Sequence, residues 1–118
     1  YRVMTFEKRK RSLQKKAALG EMRVTVAVTE ETSQKIGYCV TSLDEEKIGE
    51  IESILVASDY RGKGVGDALM KDALGWMDAK GAGKKRVAYS VGNEQVFGFY
   101  TQYGFVPRKI VLEQANRQ

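Results

Sequence analysis

The stretch Arg61-Gly62-Lys63-Gly64-Val65-Gly66 decides the fold prediction, because it joins two segments of different periodicity. An apolar run, 51–57, precedes it, and an amphipathic segment, 65–80, follows it. A strand that ends in a glycine-rich turn and restarts as a helix is typical of a phosphate site, since glycine lets the backbone approach the ligand and the first helical N–H groups lack internal partners. Arg61 and Lys63 add positive charge at the same point. The sequence therefore predicts a site for a phosphate-bearing molecule.

Two common phosphate-binding motifs do not fit this turn. A dinucleotide-binding fingerprint requires a third glycine or alanine, but that position holds Asp67, an anion. A P-loop requires Gly-x4-Gly-Lys-Ser/Thr, which the chain lacks. The pattern that fits is Arg-x-x-Gly-x-Gly, with Arg61, Gly64 and Gly66 in its fixed positions.

A second motif lies downstream, where residues 93–105 read Asn-Glu-Gln-Val-Phe-Gly-Phe-Tyr-Thr-Gln-Tyr-Gly-Phe. Asn93 is a residue type that caps helix N-termini, and Gly104 is placed to end the helix. Together the two motifs resemble the signatures of the GNAT superfamily of N-acetyltransferases, which bind acetyl-coenzyme A. Val96 and Gly98 depart from the usual residues, which indicates altered packing of this helix. The resemblance covers roughly residues 22–112.

Residue patterns also predict the order of the elements. We expect a basic helix over 6–19 ended by Gly20, strands over 22–29, 36–43 and 48–57, a helix over 65–80 closed by 81–83, a strand over 86–91, a helix over 93–103 and a last strand over 105–113. This order predicts a single α+β domain over 1–118, in which 1–20 is a basic N-terminal helical segment. The resemblance implies a mixed α/β three-layer form of it, a twisted, mostly antiparallel central sheet flanked by helices. It also implies a first strand and helices that we do not find, so we expect the N-terminal part of the domain to be missing from this sequence.

Composition excludes several classes of enzyme. The chain has 118 residues, one cysteine and no histidine. The lack of histidine removes histidine-based general bases and metal ligands, which disfavours a Ser-His-Asp or Cys-His hydrolase and a zinc site, and we expect no metal. Cys39 alone forms no internal disulfide and fits a reducing compartment, so we expect a cytoplasmic protein in which Cys39 is a buried strand residue. No apolar run reaches membrane-spanning length, and we expect no membrane association.

The positive charge is concentrated at the start of the chain. Residues 1–16 hold seven Lys or Arg and one Glu, whereas the remainder holds 13 Lys or Arg and 14 Asp or Glu. Such a run can contact nucleic acid, but it equally forms a solvated helix face. No aromatic residues interleave with the charges as base stacking requires, which disfavours a nucleic-acid module.

Two carboxylates precede the phosphate turn. If the strand alternates strictly, Glu50, Glu52, Ile54 and Val56 share one face, and Ile51, Ser53 and Leu55 share the other. Like charges at this spacing would make at least one glutamate a better base, able to take the proton from an attacking amine directly or through water. The alternative is an exposed strand face with two solvated acids.

The resemblance assigns further roles. Its catalytic glutamate, eleven residues before the arginine of the turn, falls on Glu50, with Glu52 as the second candidate. Its general acid for the departing thiolate falls on Tyr100. The coenzyme site comprises Ile54, Leu55, Val56, Arg61, Gly62, Lys63, Gly64, Val65, Gly66, Asn93 and Tyr100. The implied reaction is direct attack of a primary amine on acetyl-CoA in a ternary complex, without an acyl-enzyme.

Several alternatives remain open at the level of sequence. The domain could bind an acyl-CoA without turnover, as a sensor or scaffold, although retention of both glutamates and Tyr100 disfavours this. The acceptor could be a small amine, a lysine side chain or a protein N-terminus, and acidic residues 44–46 favour a cationic acceptor only weakly. A homodimer is compatible with the sequence.

Overall fold

Five strands form one sheet in the order β1-β2-β3-β4-β5, within the first of two compact units, Tyr1–Ala88. The computed structural model describes residues 1–11 and 19–116. The strands are β1 Arg2–Arg11, β2 Leu19–Val28, β3 Lys35–Leu43, β4 Ile48–Val56 and β5 Lys84–Val87. Neighbours from β1 to β4 are antiparallel, and β5 returns parallel to β4 after a helix, α1, at Val65–Ala79. The predicted α+β class with a mostly antiparallel sheet is confirmed, although β5 begins and ends earlier than predicted.

The apolar side of α1 packs on the sheet. All five positions with predicted helical spacing are buried: Val65, Leu69, Ala73, Trp76 and Met77. The strands contribute buried Ala27, Cys39, Leu43 and Ile51. A Cβ atom on Gly49 of β4 would lie 2.7 Å from Sδ of Met77, so a glycine is required where α1 lies closest to the strand.

The predicted N-terminal helix over 6–19 is wrong at both of its ends. Residues 6–11 belong to β1, and Leu19 and Gly20 belong to β2; residues 12–18 lie outside the described part of the chain. Each residue of β1 from Arg2 to Arg11 pairs with one of β2. Helix propensity is a weak preference that such pairing overrides. Lysine and arginine are also the residue types that edge strands use to discourage pairing with other chains, so the basic run suits β1.

The second unit, Tyr89–Gln118, is built around aromatic side chains. The predicted helix over 93–103 is present as a short 3-10 turn, Glu94–Val96, followed by α2, Phe97–Thr101. Phe99 packs edge-on against Tyr100 and Tyr103, with ring centroids 5.5 and 5.4 Å apart. Tyr100 also meets Phe105 at 6.2 Å.

The predicted strand over 105–113 is wrong. The described residues from Phe105 to Ala115 adopt no regular secondary structure, and Ile110 and Leu112 are 88% and 89% exposed. A strand needs a hydrogen-bonded neighbour, which sequence propensity cannot supply, and Pro107 offers no N–H to such a pairing.

Candidate active site

The turn between β4 and α1 has the geometry that its glycines predict. Gly62 has φ +75° and Gly64 has φ +87°, both in the left-handed region that favours glycine. Gly64 occupies the N-cap position of α1, and no side chain caps this helix. The first N–H groups of α1 therefore remain available to an anion at the positive end of the helix dipole.

The charged residues of the turn are held by local contacts. Nε of Arg61 donates to the carbonyl oxygen of Val56, at 3.0 Å, which folds this side chain toward the end of β4. Nζ of Lys63 lies 5.4 Å from the centroid of the Tyr60 ring, a cation–π contact. Asp67, the anion next to the turn, forms an ion pair of 2.9 Å with Lys71, which offsets its charge.

The edge of β4 that faces β5 is open beyond Ile51. Among the described residues, pairing of β4 with β5 runs only from Ile48 to Ile51. The N–H of Ala57 donates to the carbonyl oxygen of Ile36, which precedes Gly37 on β3. Successive residues of an antiparallel strand direct their backbone N–H and C=O groups to opposite sides of the strand. Ile54 and Val56 therefore present their backbone groups on the open side, whereas Leu55 bonds toward β3.

A β-bulge at Glu52 overturns the predicted division of β4 into faces. Val40 pairs with Ser53, but the next residue of β3, Thr41, pairs with Ile51, so Glu52 is an extra residue on β4. The alternation of side chains between the two faces of the sheet therefore reverses at Glu52. Residues that pair across neighbouring strands share a face. Ile51, Ile54 and Val56 thus lie on the side of α1, while Glu50, Ser53 and Leu55 lie on the other side.

Each of the two predicted catalytic carboxylates has its own polar partner. Glu50 accepts a hydrogen bond of 2.9 Å from Nε of Arg86, a residue of β5 paired with it in the parallel register. Glu52 accepts a hydrogen bond of 2.5 Å from the hydroxyl of Ser42, which lies opposite Glu50 on β3. Both carboxylates thus reach the face of the sheet away from α1. Sequence reasoning missed Arg86 and Ser42, because only the strand register brings them to the glutamates.

The remaining predicted site residues, Asn93 and Tyr100, belong to the second unit. Tyr100 is buried within α2. Asn93 stands at the N-cap position of the 3-10 turn but makes no capping bond with its side chain, contrary to the role expected for it. The carboxylate of Glu94 instead accepts from the N–H of Gly92, at 3.0 and 3.1 Å, and these backbone bonds lower the pKa of Glu94.

The thiol of Cys39 is not placed for a reaction. Cys39 is buried as predicted, and burial raises the pKa of its thiol to about 11, which keeps it protonated and unreactive at neutral pH. Across residues 1–11 and 19–116, no three or more acidic, cysteine or histidine side chains are grouped as metal ligands. In the same part of the chain no helix is long and apolar enough to cross a membrane.

Known proteins resemble this chain in sequence and in structure. A curated relative, an uncharacterised N-acetyltransferase of Methanocaldococcus jannaschii, is 32% identical over 74 residues, which cover 61% of this chain and 32% of the relative. The chain thus spans about a third of that protein's length.

Solved structures share the fold. The aminoglycoside N-acetyltransferase AAC(6′)-Iy in complex with CoA aligns with a TM-score of 0.70 at 20% identity, over 82% of this chain and 77% of that one. Glucosamine-6-phosphate N-acetyltransferase of Arabidopsis thaliana aligns with a TM-score of 0.64 at 19% identity, over 80% and 66%. The family model described as the acetyltransferase (GNAT) family matches residues 3–105. With its glycine turn, open strand edge and sheet order in place, this chain belongs to the GNAT family of acetyltransferases.

Proposed function

We propose that the protein is an N-acetyltransferase that moves an acetyl group from acetyl-CoA to a primary amine. The observation that carries this proposal is the junction of β4 and α1, in a chain of the acetyltransferase family. There an uncapped helix start, two left-handed glycines and two cations lie beside an open strand edge. A pyrophosphate with a long amide-bearing arm matches that combination, because it needs N–H donors at one end and a strand-like partner along the other.

The coenzyme is held by two kinds of contact. The first N–H groups of α1, together with Arg61 and Lys63, bind the pyrophosphate. The backbone groups of Ile54 and the N–H of Val56 pair with the amides of the pantetheine arm, as one added strand would, while the carbonyl oxygen of Val56 already accepts from Arg61. A backbone N–H at this edge also polarises the thioester carbonyl in the transition state. The resemblance to the family adds Asn93 as a candidate contact of the pantetheine arm.

The reaction is a direct transfer. The amine nitrogen attacks the thioester carbonyl carbon, the C–S bond breaks, and an amide and CoA result. Glu50 takes the proton from the amine, directly or through water, with Glu52 as the second candidate. Tyr100 donates a proton to the departing thiolate, which with a pKa of about 8.5 leaves without strict need of an acid. No acyl-enzyme is needed, in agreement with the buried, protonated thiol of Cys39.

The acceptor is defined only as a primary amine. A small amine, a lysine side chain and a protein N-terminus all satisfy the chemistry of the glutamate-bearing face. The names of the two aligned structures place amino sugars among the acceptors of similar proteins. A cytoplasmic location and a homodimer remain part of the proposal.

A thermal-shift titration with acetyl-CoA, CoA and NAD tests the coenzyme site. A ligand that binds only the folded state stabilises it by about 2.7 kcal/mol at 100 times its Kd, which raises the melting temperature by several degrees. We expect stabilisation by both coenzyme A forms and none by NAD. An Arg61→Met/Lys63→Met variant should lose the shift, whereas Lys84→Met, which removes an exposed charge on β5, should keep it. No shift with any ligand would contradict the proposal, and a shift without acetyl transfer to any amine would favour a binding-only sensor.

A further inference from the structure

We propose that Arg86 is a positioning residue for the reaction, because it fixes the carboxylate of Glu50 for proton transfer. The inference rests on the proposed function and adds to it a residue that neither the sequence motifs nor the relatives assign. Arg86 itself touches no reacting atom. It acts through Glu50.

The register of the sheet brings the pair together. Ser42, Glu50 and Arg86 lie side by side on β3, β4 and β5 and share one face. Parallel pairing of β4 with β5 covers only four residues, and the Glu50–Arg86 pair lies one residue from its end, next to the bulge. The ion pair therefore sits where the two strands separate and the open edge begins.

The contact uses one oxygen of the carboxylate. Nε of Arg86 donates to Oε1 of Glu50 at 2.9 Å, and among the described residues Oε2 accepts no hydrogen bond. A charge-assisted bond of this kind sets the rotation of the carboxylate plane. One oxygen is thereby held and the other is left as the proton acceptor. A general base needs this orientation, because proton transfer requires its oxygen within hydrogen-bond reach of the amine or of one bridging water.

The exposure of the pair argues against a mainly structural role. The side chain of Arg86 is 60% exposed and that of Glu50 is 28% exposed. Exposed ion pairs contribute little to folding stability. A change at Arg86 is therefore expected to alter the rate of the reaction far more than the melting temperature.

A double-mutant cycle separates positioning from structure. We expect Arg86→Met to lower kcat roughly ten- to hundredfold, with the KM for acetyl-CoA unchanged, because misplacing a catalytic group costs rate rather than coenzyme binding. Arg86→Lys should recover part of the loss. In a Glu50→Gln background Arg86→Met should have no further effect, since a residue acting through Glu50 has nothing left to position. Lys84→Met is the matched control, because it removes a positive charge from the same strand and face and should leave kcat unchanged.

The outcomes distinguish this inference from the proposed function. An equal loss of kcat from Arg86→Met with and without Glu50 would overturn positioning while leaving acetyl transfer in place. So would an unchanged kcat with a lower KM for the amine, which would mean that Arg86 competes with the acceptor for Glu50. A wild-type protein that neither binds CoA nor transfers acetyl would overturn both. A Glu50→Gln protein with normal kcat and normal CoA binding would also overturn the inference, and would move the base to Glu52.

Discussion

At the scale of single residues, the bulge at Glu52 determines which side chains of β4 face the helix. Strict alternation predicts Glu50, Ile54 and Val56 on one face, but the extra residue separates the glutamate from the two apolar side chains. Bulges recur beside active sites because they redirect side chains and interrupt pairing. Here the same residue redirects the strand and carries a carboxylate. Nothing in the local sequence marks it, since an acidic residue in a strand has no fixed relation to a bulge.

Tyr100→Phe tests the predicted acid at the residue scale. The substitution removes only the hydroxyl and keeps the ring, so the packing against Phe99 and Phe105 should be retained. We expect turnover to fall about tenfold, less than general acids often contribute, because a thiolate leaves readily. CoA should still raise the melting temperature of the variant as much as it raises that of the wild type.

Tyr103→Phe provides the control for Tyr100→Phe. It removes a hydroxyl from a ring that also contacts Phe99, at 5.4 Å, and should leave turnover unchanged. Loss of CoA affinity in Tyr100→Phe, with turnover unchanged, would contradict the assigned role.

At the scale of elements, a polar cluster fixes α1 on the sheet. Asp72 of α1 accepts two hydrogen bonds from the guanidinium of Arg23, at 3.0 and 2.9 Å, and one of 2.6 Å from the hydroxyl of Thr25. Arg23 also pairs with Glu7 of β1. Three elements thus meet at one guanidinium. Because α1 begins at the glycine turn, this cluster also helps to hold the helix start in place beside β4.

The cluster makes the stability of the protein depend on acid. Burial alone would raise the pKa of Asp72, but the hydrogen bonds from Arg23 and Thr25 outweigh it and the pKa is lowered. A carboxylate with a lowered folded-state pKa contributes stability above its unfolded pKa, about 3.9, and loses it as the pH falls through the folded value. We expect Asp72→Asn to reduce stability by about 1–3 kcal/mol at pH 7.

Melting temperatures measured from pH 7 down to pH 2.5 check this. The difference between wild type and Asp72→Asn should begin to shrink below about pH 4, where the Asp72 carboxylate of the unfolded chain takes up protons, and should vanish once the pH is below the lowered folded-state pKa. Asp78→Asn is the control on the same helix, since Asp78 is 65% exposed, pairs with Lys85 and should contribute little. A gap between wild type and Asp72→Asn that stays constant down to pH 2.5 would show that the ionised carboxylate is not the cause.

The elements also show how far the sequence determines the fold. Helical spacing in α1 and the strand patterns of β2 and β3 are local, and α1 and β3 form nearly where predicted, whereas β2 begins earlier, at Leu19. The glycine turn is equally local, because positive φ is a property of the residue itself. The secondary structure of residues 6–11 and 105–113 is predicted wrongly, because it depends on whether a partner strand lies beside them. No local sequence pattern predicts that. The contacts of Glu50 with Arg86 and of Asp72 with Arg23 likewise come from register and packing.

At the scale of the whole molecule, the charge is unevenly distributed. The excess of basic residues lies in 1–16, and the structure assigns 2–11 of this segment to an edge strand. Because β1 pairs with β2 along ten residues, a deletion of 1–16 would remove part of the sheet together with the charge. Any test of a nucleic-acid function must therefore change charges and keep the strand.

Weak binding of nucleic acid is the remaining prediction. We expect the wild-type protein to bind a duplex of about 20 base pairs with a Kd no lower than about 10⁻⁶ M near physiological salt. The binding should not depend on DNA sequence, and it should weaken steeply as the salt concentration rises, because its contacts are to phosphates. Lys15→Gln/Lys16→Gln should weaken this binding further and flatten the salt dependence, because two cations are lost from the basic segment. The control variant Lys35→Gln/Lys84→Gln removes the same amount of charge from β3 and β5, and it should reduce the affinity for DNA less. Fluorescence anisotropy at 50 and 200 mM salt measures all three proteins. Tight, sequence-selective binding that persists at the higher salt would contradict this prediction and would indicate a nucleic-acid function in addition to acetyl transfer.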